Sequence, residues 1–455
     1  MKEQVASEAQ EVSRRLKAAG HEAFVVGGCV RDILLGRDAK DWDVATSARP
    51  EVVQGLFRRC IPTGIAHGTV TVLVGKTPIE VTTFRGEAEY SDARRPDRVN
   101  FGVTLEEDLA RRDFTVNALA YDPIDDRLVD PFGGREDLAA RRLRAVGDPA
   151  IRFREDGLRV MRAVRFVATL EMSLDRSTEA AIPGALDSLR KVSAERVRDE
   201  LVKLLSAPRP SLGLRVAQRT GILAVILPEL AEGVGVVQNR FHASDVWEHT
   251  MATVDNTPGD AIRRLGALLH DVGKPRTAAP KVDSPSEQTF FRHEAVGAEM
   301  TDAIMRRLKF SNRERERVTA MVAHHMFWYS PEWTDATVRR FVRRVGVDLI
   351  PDLFALREGD VRGRGRGEDP EVELCELRAR VHAVLDEDQA LSIQDLALDG
   401  EDIMAALGIP PGRRVGEILR ALLERVLEDP SLNERDRLLS LAAEIHAERG
   451  QQSGT

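Results

Sequence analysis

A chain of 455 residues with 42% hydrophobic, 31% charged and 5% aromatic side chains can bury a sizeable core, yet it is too long for one compact unit and predicts about three domains. No apolar run reaches the ~20 residues a membrane-spanning helix needs, and the charged opening MKEQVASEAQEVSRRLKAAG reads as an amphipathic helix rather than a signal peptide, so a cytoplasmic protein is expected. The three cysteines, Cys29, Cys60 and Cys375, lack CxxC spacing, which excludes a disulfide framework and a zinc knuckle. A net charge of −8, from 66 basic and 74 acidic residues, argues against indiscriminate coating of nucleic acid. Between Arg141 and Arg165, however, eight arginines face three acids, a local basic stretch suited to phosphates or bases.

In chain order, short β-branched runs alternate with helical ones over the first 147 residues. Strands are expected at AFVV (23–26), DWDVAT (41–46), HGTVTVLV (67–74) and IEVTTFR (79–85), with a helix from about Val30. This predicts a small α/β domain around a mixed sheet of about five strands. From Asp148 onward the strand signals stop, and helical periods punctuated by Pro and Gly predict an all-α remainder.

The segment VVGGCVRDILLGRDAKDWDVAT joins two glycines to a short helix and returns to a strand at Asp41 and Asp43. Strand residues two apart project from one face, so these carboxylates form a pair while Trp42 points away. Paired carboxylates on a rigid face suit Mg²⁺, which takes oxygen ligands and keeps positions open for substrate phosphates. Glu80, on a later strand, could complete a triad, and Gly27 and Gly28 would let the backbone approach a triphosphate. A polar stretch (86–102) reads as a loop, after which Arg111, Arg112, Asp113 and Asn117 are expected at the start of a helix, where arginine forks bind phosphate.

These blocks, in the order GG, RD, DWD, IPTGIAHGTVTV, IEVTTFR, RRDFTVNALAYD, DPFGG and EDGLRVMRAVRFVATL, resemble the class II tRNA nucleotidyltransferases, the family of CCA-adding enzymes and bacterial poly(A) polymerases within the polymerase-beta-like superfamily. The resemblance implies a polymerase-beta-like α/β head followed by an all-α neck and body. It implies Gly28 and Arg31 as triphosphate contacts, Asp41 and Asp43 as the catalytic Mg²⁺ carboxylates with Glu80 beside them, and Arg112 as a nucleotide-binding arginine with Asp113 and Asn117 nearby. In EDGLR it implies Asp156 and Arg159 as readers of the base edge, with Arg162 and Arg165 following on the same helix, and ERVRDELVKLL (195–205) as the neck helix. The implied partners are the tRNA 3′ acceptor end, CTP and ATP. IPTGIAHGTVTV looks like the CCA-adding branch, and the loop residues Arg85, Glu87, Tyr90, Asp92, Arg94, Arg95 and Pro96 look complete, although Arg95 stands where the family commonly has His. Addition of A alone, or of poly(A), stays open at this point.

Between 240 and 365 lie His249, His270–Asp271 in LLHDVGKP, His293, His324–His325 and Asp360. This spacing resembles HD-domain phosphohydrolases, in which separated helices converge H…HD…D on a divalent ion. It implies His249, His270, Asp271 and Asp360 as ligands of a second divalent metal of unknown identity, with His293 and His324 available for another. A hydrolase acting on RNA ends through this site is the rival from a different class. After about 385, IQDLALDGEDIMAALGIPPGRRVGEILRALLERVLEDPSLNERDRLL resembles the family's C-terminal helical segment, with Gly408, Gly412 and Gly416 expected at helix junctions. The expected division is a head at 1–147, a helical neck and body at 148–235, an HD domain at 236–380 and a helical tRNA-binding tail at 381–455.

Overall fold

The β-branched runs of the N-terminal part pair into one mixed sheet. In the computed structural model, which describes residues 1–86, 100–238, 243–281, 284–386 and 392–452, its strands are β1 (Ala23–Val26), β2 (Trp42–Thr46), β3 (Cys60–Gly64), β4 (Thr69–Val74), β5 (Thr77–Thr83), β6 (Ala120–Asp122) and β7 (Arg127–Val129). The order is β3-β4-β5-β2-β1-β6-β7. β2 and β5 run parallel and the other neighbours antiparallel. The sheet thus has seven strands rather than about five. The short β6–β7 hairpin has only three residues per strand, too few for a period-two pattern to show.

Packing follows from the alternation of side chains. Phe24, Val26, Ala45, Phe84, Leu105 and Leu109 share one buried cluster. The helix Ser7–Ala18 buries Ala9, Val12, Ser13 and Leu16, the three-and-four spacing of a single apolar stripe.

Beyond residue 147 the chain is mainly helical, but not entirely. Ser173–Leu174 pairs with Arg142–Leu143, and Ala278–Lys281 pairs with Ser284–Phe290 as a hairpin. Sequence alternation is weak in the hairpin because Ala, Pro and Lys make up its first strand.

Two compact units result. One comprises Met1–Glu232 with Arg306–Phe310, and the other Gly233–Met305 with Ser311–Thr455. In the second unit the helices Gly400–Leu407, Arg413–Glu428 and Arg435–Gln452 enclose a core around Ile403, Leu422 and Leu438. Gly408 caps the first of these with φ +64°, and Gly412 precedes the second. Gly416 lies inside that second helix rather than at a junction.

Among the described residues no helix is long and apolar enough to cross a membrane. Of the expected loop, Glu87 to Pro96 lie outside the described residues.

Candidate active site

β1 ends at Val26, and Gly27 turns the chain with φ +79° into the helix Gly28–Leu34. The turn needs glycine for its conformation, and a Cβ at Gly27, 2.8 Å from an Arg112 guanidinium nitrogen, would push that side chain aside. Beside it, the register of β2 on β5 sets Asp43 opposite Glu80. Asp41 lies just before β2, exposed, and does not line the cavity that Asp43 and Glu80 share. Its charge still reaches Asp43. Burial, the Glu80 carboxylate and the Asp41 carboxylate push the Asp43 carboxyl up to about 6 against the opposing pull of Arg112.

That cavity, about 590 Å³, is also lined by Gly28, Arg31, Arg112, Asp113 and Asn117. Asp156, Arg159, Arg162 and Arg165 line it too, so every nucleotide-binding residue expected from sequence meets in one place.

Arg111, Arg112 and Asp113 do not open an α-helix, and Asn117 ends the single 3-10 turn Thr115–Asn117. A capping box between Thr104 and Glu107 starts the helix Leu105–Ala110 earlier, and the arginines follow its last turn. Asp108, 1% exposed, takes Arg111 at 2.8 Å and Arg112 at 3.4 Å. Arg31 donates to Asn117 Oδ1 at 2.6 Å, and the Asn117 amide donates to Asp113 Oδ1 at 3.0 Å. Arg162 closes the chain onto Asp113 Oδ2 at 2.7 Å. Burial opposes charge on Asp113, but Arg162, Asn117 and the Phe114 N–H outweigh it and hold the carboxyl down at about 2. Sequence reasoning missed Asp108, although its position three and four residues before an arginine pair on a helix is a readable signal.

Asp156 and Arg159 are not on one continuous helix either. The helix Pro149–Glu155 ends at Asp156, and Leu158–Leu170 carries Arg159, Arg162 and Arg165. The break falls at Asp156, which is extended (φ −142°, ψ 105°), and at the next residue, Gly157, a Cβ would come within 2.3 Å of the Ser188 backbone. Asp156 accepts from the Leu158 N–H at 3.0 Å and from Arg196 at 2.8 Å. Arg159 is held by Glu155 at 2.6 Å and by the carbonyls of Arg152 and Arg111, each at 2.9 Å. Arg165 donates to Glu200, 3% exposed, at 2.6 Å. Both Arg196 and Glu200 belong to the helix Ala194–Leu205, expected above as the neck helix, and no local signal marks them 40 and 35 residues from their partners.

The second unit gathers a further set of ligand-type side chains. Ligand atoms of His249, His270 and Asp360 lie within 4.8 Å of one another, as do those of Asp271, His293 and His325. The second group contains His325, not the expected His324. Neighbours at a helix end diverge by roughly 100°, and His324 falls outside the cluster. His270, His293 and His325 each donate Nδ1–H to a backbone carbonyl, of Ala267 at 2.7 Å, Phe290 at 2.9 Å and Val322 at 2.7 Å. A carbonyl can only accept, so each ring turns an unprotonated Nε2 inward when neutral. Nε2 of His293 and Nε2 of His325 face each other at 3.2 Å. Burial, with His270 and His293 adding to it, pushes His325 down to about 3, so that ring stays neutral. Burial opposes charge on Asp271 and Asp360. The imidazoles of His270 and His249 respectively, helped by Lys274 and Arg357, hold both carboxyls well below the usual range.

Comparison with known proteins bears on the whole chain. Residues 23–144 match the family described as Poly A polymerase head domain, 171–233 the RNA and SrmB-binding site of polymerase A, and 295–442 tRNA nucleotidyltransferase domain 2. The A-adding tRNA nucleotidyltransferase of Deinococcus radiodurans is 38% identical over 416 residues, 88% of this chain and 91% of its own. The CCA-adding enzyme of Geobacillus thermodenitrificans is 34% identical over 430 residues, 94% of both chains. A crystal structure of the Bacillus stearothermophilus CCA-adding enzyme in complex with CTP superposes with a TM-score of 0.73 at 31% identity, covering 98% of each chain. Identity sustained along nearly the full length goes beyond a shared fold, and the chain belongs to the class II tRNA nucleotidyltransferase family.

Proposed function

We propose that the chain adds CCA to the 3′ end of tRNA from CTP and ATP, without a nucleic-acid template. One observation carries this reading: Asp43 and Glu80 share a single cavity with all the arginines expected to hold a nucleotide. The Bacillus stearothermophilus enzyme that this chain resembles was crystallised with CTP.

The donor set fits Mg²⁺. Three carboxylates at 41, 43 and 80 leave Asp43 short of positive charge, and hard oxygen donors are what this ion takes. Asp41 and Asp43 would hold it, and when bound it supplies charge neutralisation at the triphosphate and the attacking oxygen. Gly28, Arg31 and Arg112 take the phosphates, with Asp113 and Asn117 fixing the arginines. Asp156 accepts from the incoming base and Arg159 donates to it, a pattern that C and A can satisfy and that G and U present wrongly. Asp43 or Glu80 receives the proton of the tRNA 3′-hydroxyl. Positioning and fixed charge account for most of the acceleration. Addition of the terminal A alone is a second reading, favoured by the Deinococcus radiodurans relative.

In the second unit, His249, His270, Asp271 and Asp360 would hold a divalent cation, with His293 and His325 around Asp271 suited to another. The Nε2 atoms of His293 and His325, turned toward each other 3.2 Å apart with the Asp271 carboxylate beside both, are the donor types a divalent cation takes. Phosphate-ester hydrolysis at RNA ends suits such a centre. A cytoplasmic location and the four-part division at 147, 235 and 380 belong to the same proposal. Separate Asp43→Asn and Asp271→Asn variants test it: the first should abolish nucleotide addition and spare any phosphatase activity, and the second should do the reverse. Loss of nucleotide addition in Asp271→Asn alone would reject this assignment.

A further inference from the structure

The cavity of about 650 Å³ above the histidine cluster has a mouth that metal binding does not explain. Its floor is Asp271, His293 and His325, and its wall carries the buried Lys274. At the rim the hairpin strand Ser284–Phe290 ends and the helix His293–Arg307 begins, leaving the two-residue corner Phe291–Arg292. The corner is pinned at both ends. Phe290 is 8% exposed with Lys274 Nζ 5.7 Å from its ring centre, and its carbonyl accepts from His293 Nδ1. Strand alternation then turns Phe291 the other way, 80% exposed although it lines the cavity. Arg292 also lines the cavity and adopts φ +60°, a left-handed conformation costly for a residue with a Cβ.

An aromatic face held in water beside a phosphate-type floor has no packing role, and a strained arginine next to it adds a second recognition element. A simple phosphate or sugar phosphate would use neither. We propose that Phe291 and Arg292 form a base-stacking subsite that makes this cavity a receptor for nucleoside phosphates, with the ring on Phe291 and the phosphate toward the floor and Lys274. The proposal rests on the cation reading of the cluster. The shared ligand chemistry, a nucleobase joined to phosphate, fits a free nucleotide or the last nucleotide of an RNA.

Calorimetric titration of the full-length protein in Mn²⁺ tests this with three probes: adenosine 5′-monophosphate, ribose 5-phosphate, and a short oligoribonucleotide ending in a 3′-phosphate. Bound Mn²⁺ is measured in the same samples and in Asp271→Asn, the difference being the share held by the histidine cluster. At least one base-bearing probe should bind about tenfold tighter than ribose 5-phosphate. Phe291→Ala should erase that difference, Phe291→Trp should keep it, and tRNA extension should be unchanged in both. Arg292→Gly should weaken the same probe while keeping or raising the melting temperature, which a purely structural arginine would not do. Tight binding of the mononucleotide identifies a free nucleotide as the source, and tight binding of the oligonucleotide alone identifies an RNA end. Equal affinity for all three probes, or no change in Phe291→Ala, overturns the proposal while leaving the cation reading intact if Asp271→Asn binds less Mn²⁺ than the unaltered protein. Equal Mn²⁺ in the two proteins overturns both.

Discussion

The guanidinium carbon of Arg165 lies 3.9 Å from the centre of the Phe166 ring. Those of Arg31 and Arg162 lie 5.3 and 5.4 Å from the same centre. Three cations therefore share one aromatic platform at the nucleotide cavity, and Phe166 itself meets Phe114 edge to face. Their mutual repulsion is offset by Asp113, Glu200 and the ring quadrupole, and a triphosphate would complete the balance.

Replacing Phe166 by Leu keeps an apolar filling but removes the quadrupole. Cation–π contacts contribute about 0.5–2 kcal/mol, so the KM for CTP and ATP should rise roughly three- to tenfold with a smaller change in kcat. Steady-state kinetics check this. An unchanged KM would show that the ring only fills space.

Arg196 holds Asp156 Oδ2 at 2.8 Å, while the Leu158 N–H holds Oδ1. Without Arg196 the carboxylate keeps only the backbone bond, and Oδ2 loses its anchor toward the base. Arg196→Ala should raise misincorporation of UTP and GTP relative to CTP and ATP by about tenfold, the order expected for losing a charged hydrogen bond. Competition assays with mixed nucleotides read the ratio directly. Arg196→Lys should restore part of the selectivity.

The Asp43 carboxyl, pushed up to about 6, gives a pH dependence with a definite sign. The folded state holds this proton more tightly than the unfolded chain, so the group favours folding at low pH. That advantage is lost as pH rises from about 4 through about 6. Above pH 6 the ionised carboxylate should bind Mg²⁺, and Mg²⁺ should raise the melting temperature at pH 7.5 but not at pH 5. Asp43→Asn should lower kcat on the order of 10³-fold while melting higher than the unaltered protein in metal-free buffer at pH 7.5. Glu80→Gln should also lower kcat, and near-normal turnover would remove Glu80 from the site.

His325 and His324 are adjacent, yet only His325 joins the histidine cluster. His325→Ala should reduce bound divalent metal, measured by elemental analysis of the purified protein, whereas His324→Ala should leave it unchanged. Equal losses would mean that the helix end, not the imidazole, is what matters.

Local chemistry was legible in the sequence wherever ligand types repeat at short spacing. Asp43, the Arg111–Arg112 pair and His270–Asp271 could be read directly, and the nine residues expected to bind a nucleotide do meet in one cavity. What escaped depends on partners far along the chain. Arg196 reaches Asp156 across 40 residues, and the close approach of the Ser188 backbone is what leaves room only for glycine at 157. The short β6–β7 hairpin and the choice of His325 over His324 depend on pairing and on a helix ending, which hydrophobic periodicity does not encode.

The most direct test of the central claim supplies purified protein and Mg²⁺ with CTP, ATP or both, and tRNAs ending before CCA, after C and after CC. The account predicts extension of the shortest tRNA by three nucleotides, CCA, when both triphosphates are present, and none with Asp43→Ala. Extension confined to the CC-ended tRNA, by a single A, would contradict it.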